Sequence, residues 1–242
     1  MVLLILLIAP TLFWAAYHYY KDRYQSEPTL NLLLSYGFGI AAGFISMHTY
    51  SAFEWIGLRY DAYELAQTDK LGLFFYTILI IGVIEEVIKF IPFLLIGKYF
   101  YHFDEPIDGI IYASFIALGF ATHENIYYLS VLQGYEAMGR AIASPLVHIM
   151  FASIWGYAYS WAKIGNHPLL PATVIGLIFA ALLHGLYNFF VIGFLQWIYI
   201  VPPLIILIIW LWRLYLIEKL HQPYKGCFQE KNVPIKKNGL YS

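Results

Sequence analysis

Apolar residues in this chain run in long, nearly unbroken stretches separated by short polar breaks. An α-helix needs roughly 17 to 25 mostly apolar residues to cross a bilayer. The sequence divides into seven such runs: 2–20, 30–53, 71–97, 107–132, 141–162, 169–193 and 194–216. The predicted fold is therefore an all-α polytopic membrane protein of about seven transmembrane helices. The last boundary rests on Gly193 to Gln196 alone, and Pro202 and Pro203 interrupt the start of the seventh run. No basic residue precedes the first run and no polar cleavage region follows it, so it reads as a retained span and not as a signal peptide. Short loops make sequence neighbours antiparallel neighbours in space. The organisation expected is one membrane domain over 1–220, its core helices at about 71–193, and a flexible cytosolic tail over 221–242.

Composition agrees with that picture. The chain is 61% hydrophobic and 12% charged, against about 25% charged in an average globular protein, and its mean hydropathy is +0.65. A formal net charge of −1 provides no basic footprint for nucleic acid. The single Cys227 cannot form an intramolecular disulfide. Charge also sets an orientation. Lys21, Arg23, Lys98, Lys163, Arg213, Lys219, Lys225, Lys231, Lys236 and Lys237 fall on one face, whereas Arg59, Lys70 and Arg140 fall on the other. The positive-inside rule then puts the N-terminus outside and the C-terminus in the cytosol.

Against this background the third run is anomalous, because Glu85, Glu86 and Lys89 sit in its middle. A charge at bilayer depth costs from about 2.5 kcal/mol upward, and it usually faces a partner or a water-filled cavity. Further polar residues fall in the next three runs: His123, Glu124 and Asn125 in the fourth, His148 in the fifth, His184 and Asn188 in the sixth. The first, second and seventh runs carry none at depth apart from residues near their ends. Spans three to six are thus expected to form a four-helix core around a shared polar site, in the outer half of the membrane or at its midplane. Glu85 and Glu86 stand four and three residues before Lys89, so the ammonium can reach either carboxylate. The second carboxylate is then left as a candidate base. His184 and Asn188, also four apart, present an imidazole and an amide on one face, suited to a metal or to a developing oxyanion.

The order Glu85-Glu86-x-x-Lys89, Gly119-Phe120-x-x-x-Glu124-Asn125-x-x-Tyr128, Pro145-x-x-His148 and His184-x-x-x-Asn188 resembles the PrsW intramembrane proteases. The approach to the second motif, Asp108 to Tyr112, is similar too. That family is grouped with the CAAX prenyl proteases and the bacteriocin-processing enzymes, which share a four-helix membrane core. The resemblance spans about Ile84 to Asn188. It implies a peptidase of a bacterial plasma membrane that cleaves a membrane-anchored protein, in the manner of site-1 cleavage of an anti-sigma factor. On this reading Glu85 activates water, Glu86 and Lys89 support it, and His184 with Asn188 stabilises the oxyanion. Glu124 stands where the prenyl-protease branch has a histidine, His148 supplies an imidazole, and Asn125 is supporting. If zinc is bound, Glu86, Glu124, His148 and His184 are the candidate ligands; there is no His-Glu-x-x-His, since Tyr127 stands where the second histidine would be. Two other readings use the same residues. One is a proton- or cation-coupled transporter, which calls for polar groups connecting both faces and meets the absence of an internal repeat. The other is a non-catalytic membrane scaffold with the same core.

Overall fold

The computed structural model describes residues 2–58 and 60–231, without the side chains of 223–231. Arg59, the side chains of Lys225 and Lys231, and the tail carrying Lys236 and Lys237 lie outside the described residues. The described chain is helical throughout, in the order α1 (Val2–Lys21), α2 (Thr29–Trp55), α3 (Ala62–Thr68), α4 (Lys70–Phe75), a π-helical segment (Tyr76–Gly82), α5 (Val83–Tyr99), α6 (Pro106–Val131), α7 (Gly134–Ile164), α8 (Leu169–Gly193), a 3-10 turn (Leu195–Trp197) and α9 (Val201–Lys231). Among the described residues, α1, α2, α7, α8 and α9 are long and apolar enough to cross a membrane. Their outward faces carry Leu4, Phe13, Leu33, Phe44, Phe179, Ile208 and other large apolar side chains. So continuous an exposed apolar surface suits lipid and not water. The protein is an all-α integral membrane protein.

Several boundaries differ from the sequence reading for local reasons. The third run is not one α-helix: α4, the π segment and α5 follow one another, and the π segment substitutes wider i→i+5 turns in the approach to Glu85. The loop expected between Glu54 and Lys70 contains α3, whose N-terminus Asp61 caps by accepting from the Tyr63 and Glu64 amides. The last span starts only at Val201, because Pro202 and Pro203 lack the amide protons an interior turn needs and fit its first turn. At its other end α9 stays helical to Lys231, past the boundary expected at 220.

Helix α6 lies at the centre. Every residue from Ile107 to Thr122 is buried, and the helix packs chiefly against α7 and α2. Lipid tails are as apolar as side chains, so helices in a bilayer associate through close backbone approach. A side chain at Gly119 would strike the Tyr36 carbonyl oxygen of α2, and one at Gly39 would strike the Ile116 carbonyl oxygen of α6. The π segment meets α8 in the same way: a Cβ on Gly82 would overlap the Ala181 carbonyl, and one on Gly185 would overlap the backbone of Ile78. Those contacts set the distance from which α5 and α8 present their polar residues to each other.

The N-terminal end of α6 holds a second set of acids. Glu105 and Asp108 form a reciprocal capping box, in which the Asp108 carboxylate accepts from the Glu105 amide at 2.7 Å. In the loop between α1 and α2, Asp22 accepts from the Glu27 amide at 2.6 Å, and the Tyr112 hydroxyl donates to Glu27. Asp22 and Glu27 are both buried.

Candidate active site

Glu85, Glu86 and Lys89 lie on the buried side of α5, facing α7 and α8, and they meet His148 and His184 there. The two neighbouring carboxylates have different surroundings. Both oxygens of Glu86 are fully used: Oε1 accepts from Lys89 Nζ at 2.6 Å and from His184 Nδ1 at 2.7 Å, and Oε2 from the Trp155 indole at 2.8 Å. Glu85 accepts one hydrogen bond, from the Tyr50 hydroxyl to Oε1 at 3.1 Å. Its Oε2 is buried with no hydrogen-bond partner, 3.6 Å from His184 Nε2 and 3.9 Å from His148 Nδ1. An unpartnered carboxylate oxygen costs on the order of 1–3 kcal/mol or more, so a bare oxygen facing two imidazoles points to a ligand or a reacting group.

Hydrogen bonds fix both imidazoles. His184 donates through Nδ1 to Glu86, which turns its Nε2 toward Glu85 Oε2 at 3.6 Å. His148 donates through Nε2 to Glu124 at 2.9 Å, which leaves its Nδ1 lone pair on the Glu85 side. Lys89 Nζ donates to that same Nδ1 at 3.1 Å and occupies its lone pair. Phe151 stacks on His184 with ring centroids 4.9 Å apart. Phe120 lies under the Lys89 ammonium, 4.7 Å from Nζ to the ring centroid. Glu124 is bound in turn by Arg140, whose Nη2 donates at 2.5 Å while its Nε donates to Asn125 at 3.3 Å. Arg140 also rests on the Tyr128 ring at 4.0 Å. The cluster is closed at Glu85, His148 and His184. It meets the surface at Glu124 and Arg140, whose side chains are 23% and 28% exposed.

These contacts place most of the residues expected from sequence. Glu85, Glu86, Lys89, Glu124, His148 and His184 form one network, with Asn125 at its edge. Asn188 is half-buried one turn beyond His184, and its side chain makes no hydrogen bond to a described residue. The ligand set expected for a metal is redistributed. The three donors that approach one another within 4.8 Å are Glu85, His148 and His184. Glu86 and Glu124 instead accept from the far nitrogens of the two histidines, because Lys89, Trp155 and Arg140 hold their oxygens in place. Tyr50, Arg140, Phe151 and Trp155 were not anticipated. Phase offered a signal for two of them, since Phe151 and Trp155 follow His148 at i+3 and i+7 on the same face of α7. Tyr50 and Arg140 looked like ordinary end-of-span residues.

The donor set fits a divalent cation. Two imidazoles and a carboxylate match a zinc site of the open kind, and carboxylates oriented behind each histidine are the usual outer support of such sites. Charge agrees as well, because Lys89 and Arg140 offset Glu86 and Glu124 and leave Glu85 without a compensating cation.

A set of acids and imidazoles enclosed by apolar helices, with one carboxylate oxygen held without a hydrogen bond between two imidazoles, is the equipment of a hydrolase working inside the membrane. The model of the PrsW family of intramembrane metalloproteases matches residues 27–213 of the chain. The chain is 32% identical over 206 residues to Protease PrsW of Bacillus subtilis (strain 168), covering 84% of this chain and 88% of that relative. It is 31% identical over 235 residues to Protease PrsW of Clostridioides difficile (strain 630), covering 93% and 94%. It is 30% identical over 217 residues to Protease PrsW of Oceanobacillus iheyensis, covering 89% and 94%. No solved structure gives a significant match. The chain belongs to the PrsW family of intramembrane metalloproteases and is a membrane hydrolase of that type.

Proposed function

We propose that the protein is an intramembrane endopeptidase that hydrolyses a membrane-anchored protein, of the anti-sigma-factor class, in a site-1-like cleavage. Water activation turns on Glu85, and the observation that carries this reading is its buried, unpartnered Oε2 between His148 Nδ1 and His184 Nε2. Glu86 holds the His184 tautomer and Lys89 holds Glu86. Glu124, anchored by Arg140, does the same for His148, with Asn125 beside it. Asn188 keeps its amide free for the oxyanion of a peptide carbonyl. Tyr50 fixes the Glu85 rotamer through Oε1. Glu85, His148 and His184 would hold a divalent cation, with zinc favoured by the donors, and that ion would supply Lewis-acid activation of water and carbonyl.

A specific contact favours a metal-free variant of the same reading. The Lys89 ammonium already sits 3.1 Å from His148 Nδ1, the nitrogen a cation would need. In that variant Glu85 alone is the base. Metal analysis of the purified wild type and of Glu85→Gln, paired with a cleavage assay with and without chelator, separates the two. Stoichiometric metal lost in Glu85→Gln, with chelator-sensitive cleavage, supports the cation. Cleavage by metal-free protein supports the base. Full cleavage by a stably inserted Glu85→Gln variant overturns both.

The surrounding arrangement is part of the proposal. Seven spans cross a bacterial plasma membrane with the N-terminus outside and the C-terminus cytosolic. The segment from α4 to α5 counts as the third span and α6 as the fourth. The region 71–193 forms the catalytic core within a membrane domain over 1–220. The exposed mouth at Glu124 and Arg140 then faces outward, where an extracytoplasmic cleavage would take place. A transporter is disfavoured by the same geometry, since the network ends at Phe120, Phe151 and Trp155 and does not continue along α6 to its other end.

A further inference from the structure

Away from the site, Arg213 on α9 is the buried charge the fold accounts for least. Its side chain is 2% exposed. Its Nη2 donates to Ser114 Oγ of α6 at 3.1 Å, and its Nε is buried with no hydrogen-bond partner. Among the described residues no carboxylate forms an ion pair with it. Two more buried polar atoms without partners, the Tyr17 hydroxyl and His18 Nε2, lie on α1 within electrostatic range of Arg213. His18 donates through Nδ1 to the Trp14 carbonyl at 2.6 Å, so its Nε2 offers a lone pair. A water can bridge that lone pair, the tyrosine hydroxyl and the arginine N–H. It cannot balance the guanidinium charge, which in a membrane protein calls for an anion.

A place for one lies a turn further along the same face of α9. Ile217, Glu218 and His221 line a cleft of about 370 Å³, and α1 and its following loop contribute Lys21 and Arg23 to the opposite wall. Lys21 Nζ lies 5.5 Å from the centroid of the Tyr17 ring, which joins the cleft to the buried group. Two cations stand at the mouth and a third behind it, against the single acid Glu218, which already has an interaction partner. Tyr215 in the cleft wall, and Tyr24, its ring tilted against His221 with centroids 4.7 Å apart, are the aromatics found at headgroup level. Basic pockets between helices at a membrane face take anionic headgroups.

We infer that the cleft between α1 and α9 binds a phosphate-class anion, the headgroup of an anionic phospholipid, with Lys21 and Arg23 on the phosphate and Arg213 supplying the buried charge behind it. This does not depend on the peptidase reading. The test uses the full chain in nanodiscs of phosphatidylcholine with or without phosphatidylglycerol. Retained lipid is read by native mass spectrometry and stability by thermal unfolding. A parallel arm adds inorganic phosphate to the protein in neutral lipid. Preferential retention of phosphatidylglycerol and a raised Tm are expected. Lys21→Gln/Arg23→Gln should weaken retention on the order of a hundredfold, about tenfold for each of the two lost charge-assisted contacts, and Arg213→Gln should act in the same direction. An equal rise in Tm from inorganic phosphate alone would assign the site to a soluble anion and uphold the shared chemistry. The double variant changes only side chains at the rim, so folding is not at stake. The inference is overturned if the wild type shows no preference for the anionic lipid, or if the double variant keeps that preference, leaving Arg213 solvated by water.

Discussion

Two clusters of acids sit at opposite ends of α6 and are neutralised by different means. Near Glu124, two of the three carboxylates face cations, Lys89 with Glu86 and Arg140 with Glu124, and His148, His184 and Trp155 add hydrogen bonds to those two, while Glu85 Oε2 stays bare. Near Glu105, the acids are met by backbone amides, the Tyr112 hydroxyl and one another. Burial, helped by the neighbouring charge of Glu105, pushes Asp22 up to about 7. Burial and the charges of Asp22 and Asp104 push Glu27 up as well, against the bond from Tyr112. Cations keep a buried acid ionised, whereas in the second cluster burial and the neighbouring acids outweigh the donors that favour the charged form, so the acids keep their protons. The first cluster is built to hold charge and the second to hold protons.

The contrast can be broken at five points. The largest effect is expected for Lys89→Met, which leaves the Glu86 charge buried without its cation and should cost about 3–5 kcal/mol. Thermal unfolding in detergent reads it, and Glu86→Gln added to Lys89→Met should recover part of the loss. Glu85→Gln should leave stability near wild type, because Glu85 has no cation of its own, while cleavage of a membrane-anchored reporter falls about 10²–10⁴-fold. Glu124→Gln loosens His148 without removing it and should lower metal affinity or cleavage about 10–100-fold. Arg140→Ala should act in the same direction, with Arg140→Lys partly restoring function.

The smallest effect belongs to the other cluster. An acid raised in the folded state binds its proton there over a pH range where the unfolded chain has already lost it. Stability therefore falls as pH rises from the ordinary value of 3.8 to about 7 and is flat above. Asp22→Asn should remove that slope, which is at most about 1.4 kcal/mol per pH unit, the worth of one pKa unit. Unfolding measured between pH 5 and 8 reads it, and a decline equally steep in the variant would move the effect to other groups.

The apolar runs and their polar exceptions carried much of this architecture. Glu85, Glu86, Lys89, His148 and His184 were marked by where they fell, and they meet in one network. Which carboxylate would remain bare was not legible, because Lys89 is within helical reach of both. The choice is made by Trp155 and His184, which arrive from α7 and α8. The contribution of α2 was hidden for a similar reason. Tyr50 near a span end is an ordinary interfacial aromatic until the approach of α2 aims its hydroxyl at Glu85. Arg140 was counted as a charge outside the membrane, but α7 begins at Gly134 and turns that side chain back onto Glu124.

The widened turns between Tyr76 and Gly82 have one more consequence. Each residue of a regular α-helix rotates the next side chain by about 100°, so a slackened stretch changes the azimuth of everything that follows it. Glu85 and Glu86 owe their compass bearing toward α8 to this backbone phase shift, and not to any side chain within Tyr76–Gly82. A chain keeping every polar residue named above but losing that offset would hold the same chemical groups aimed past one another.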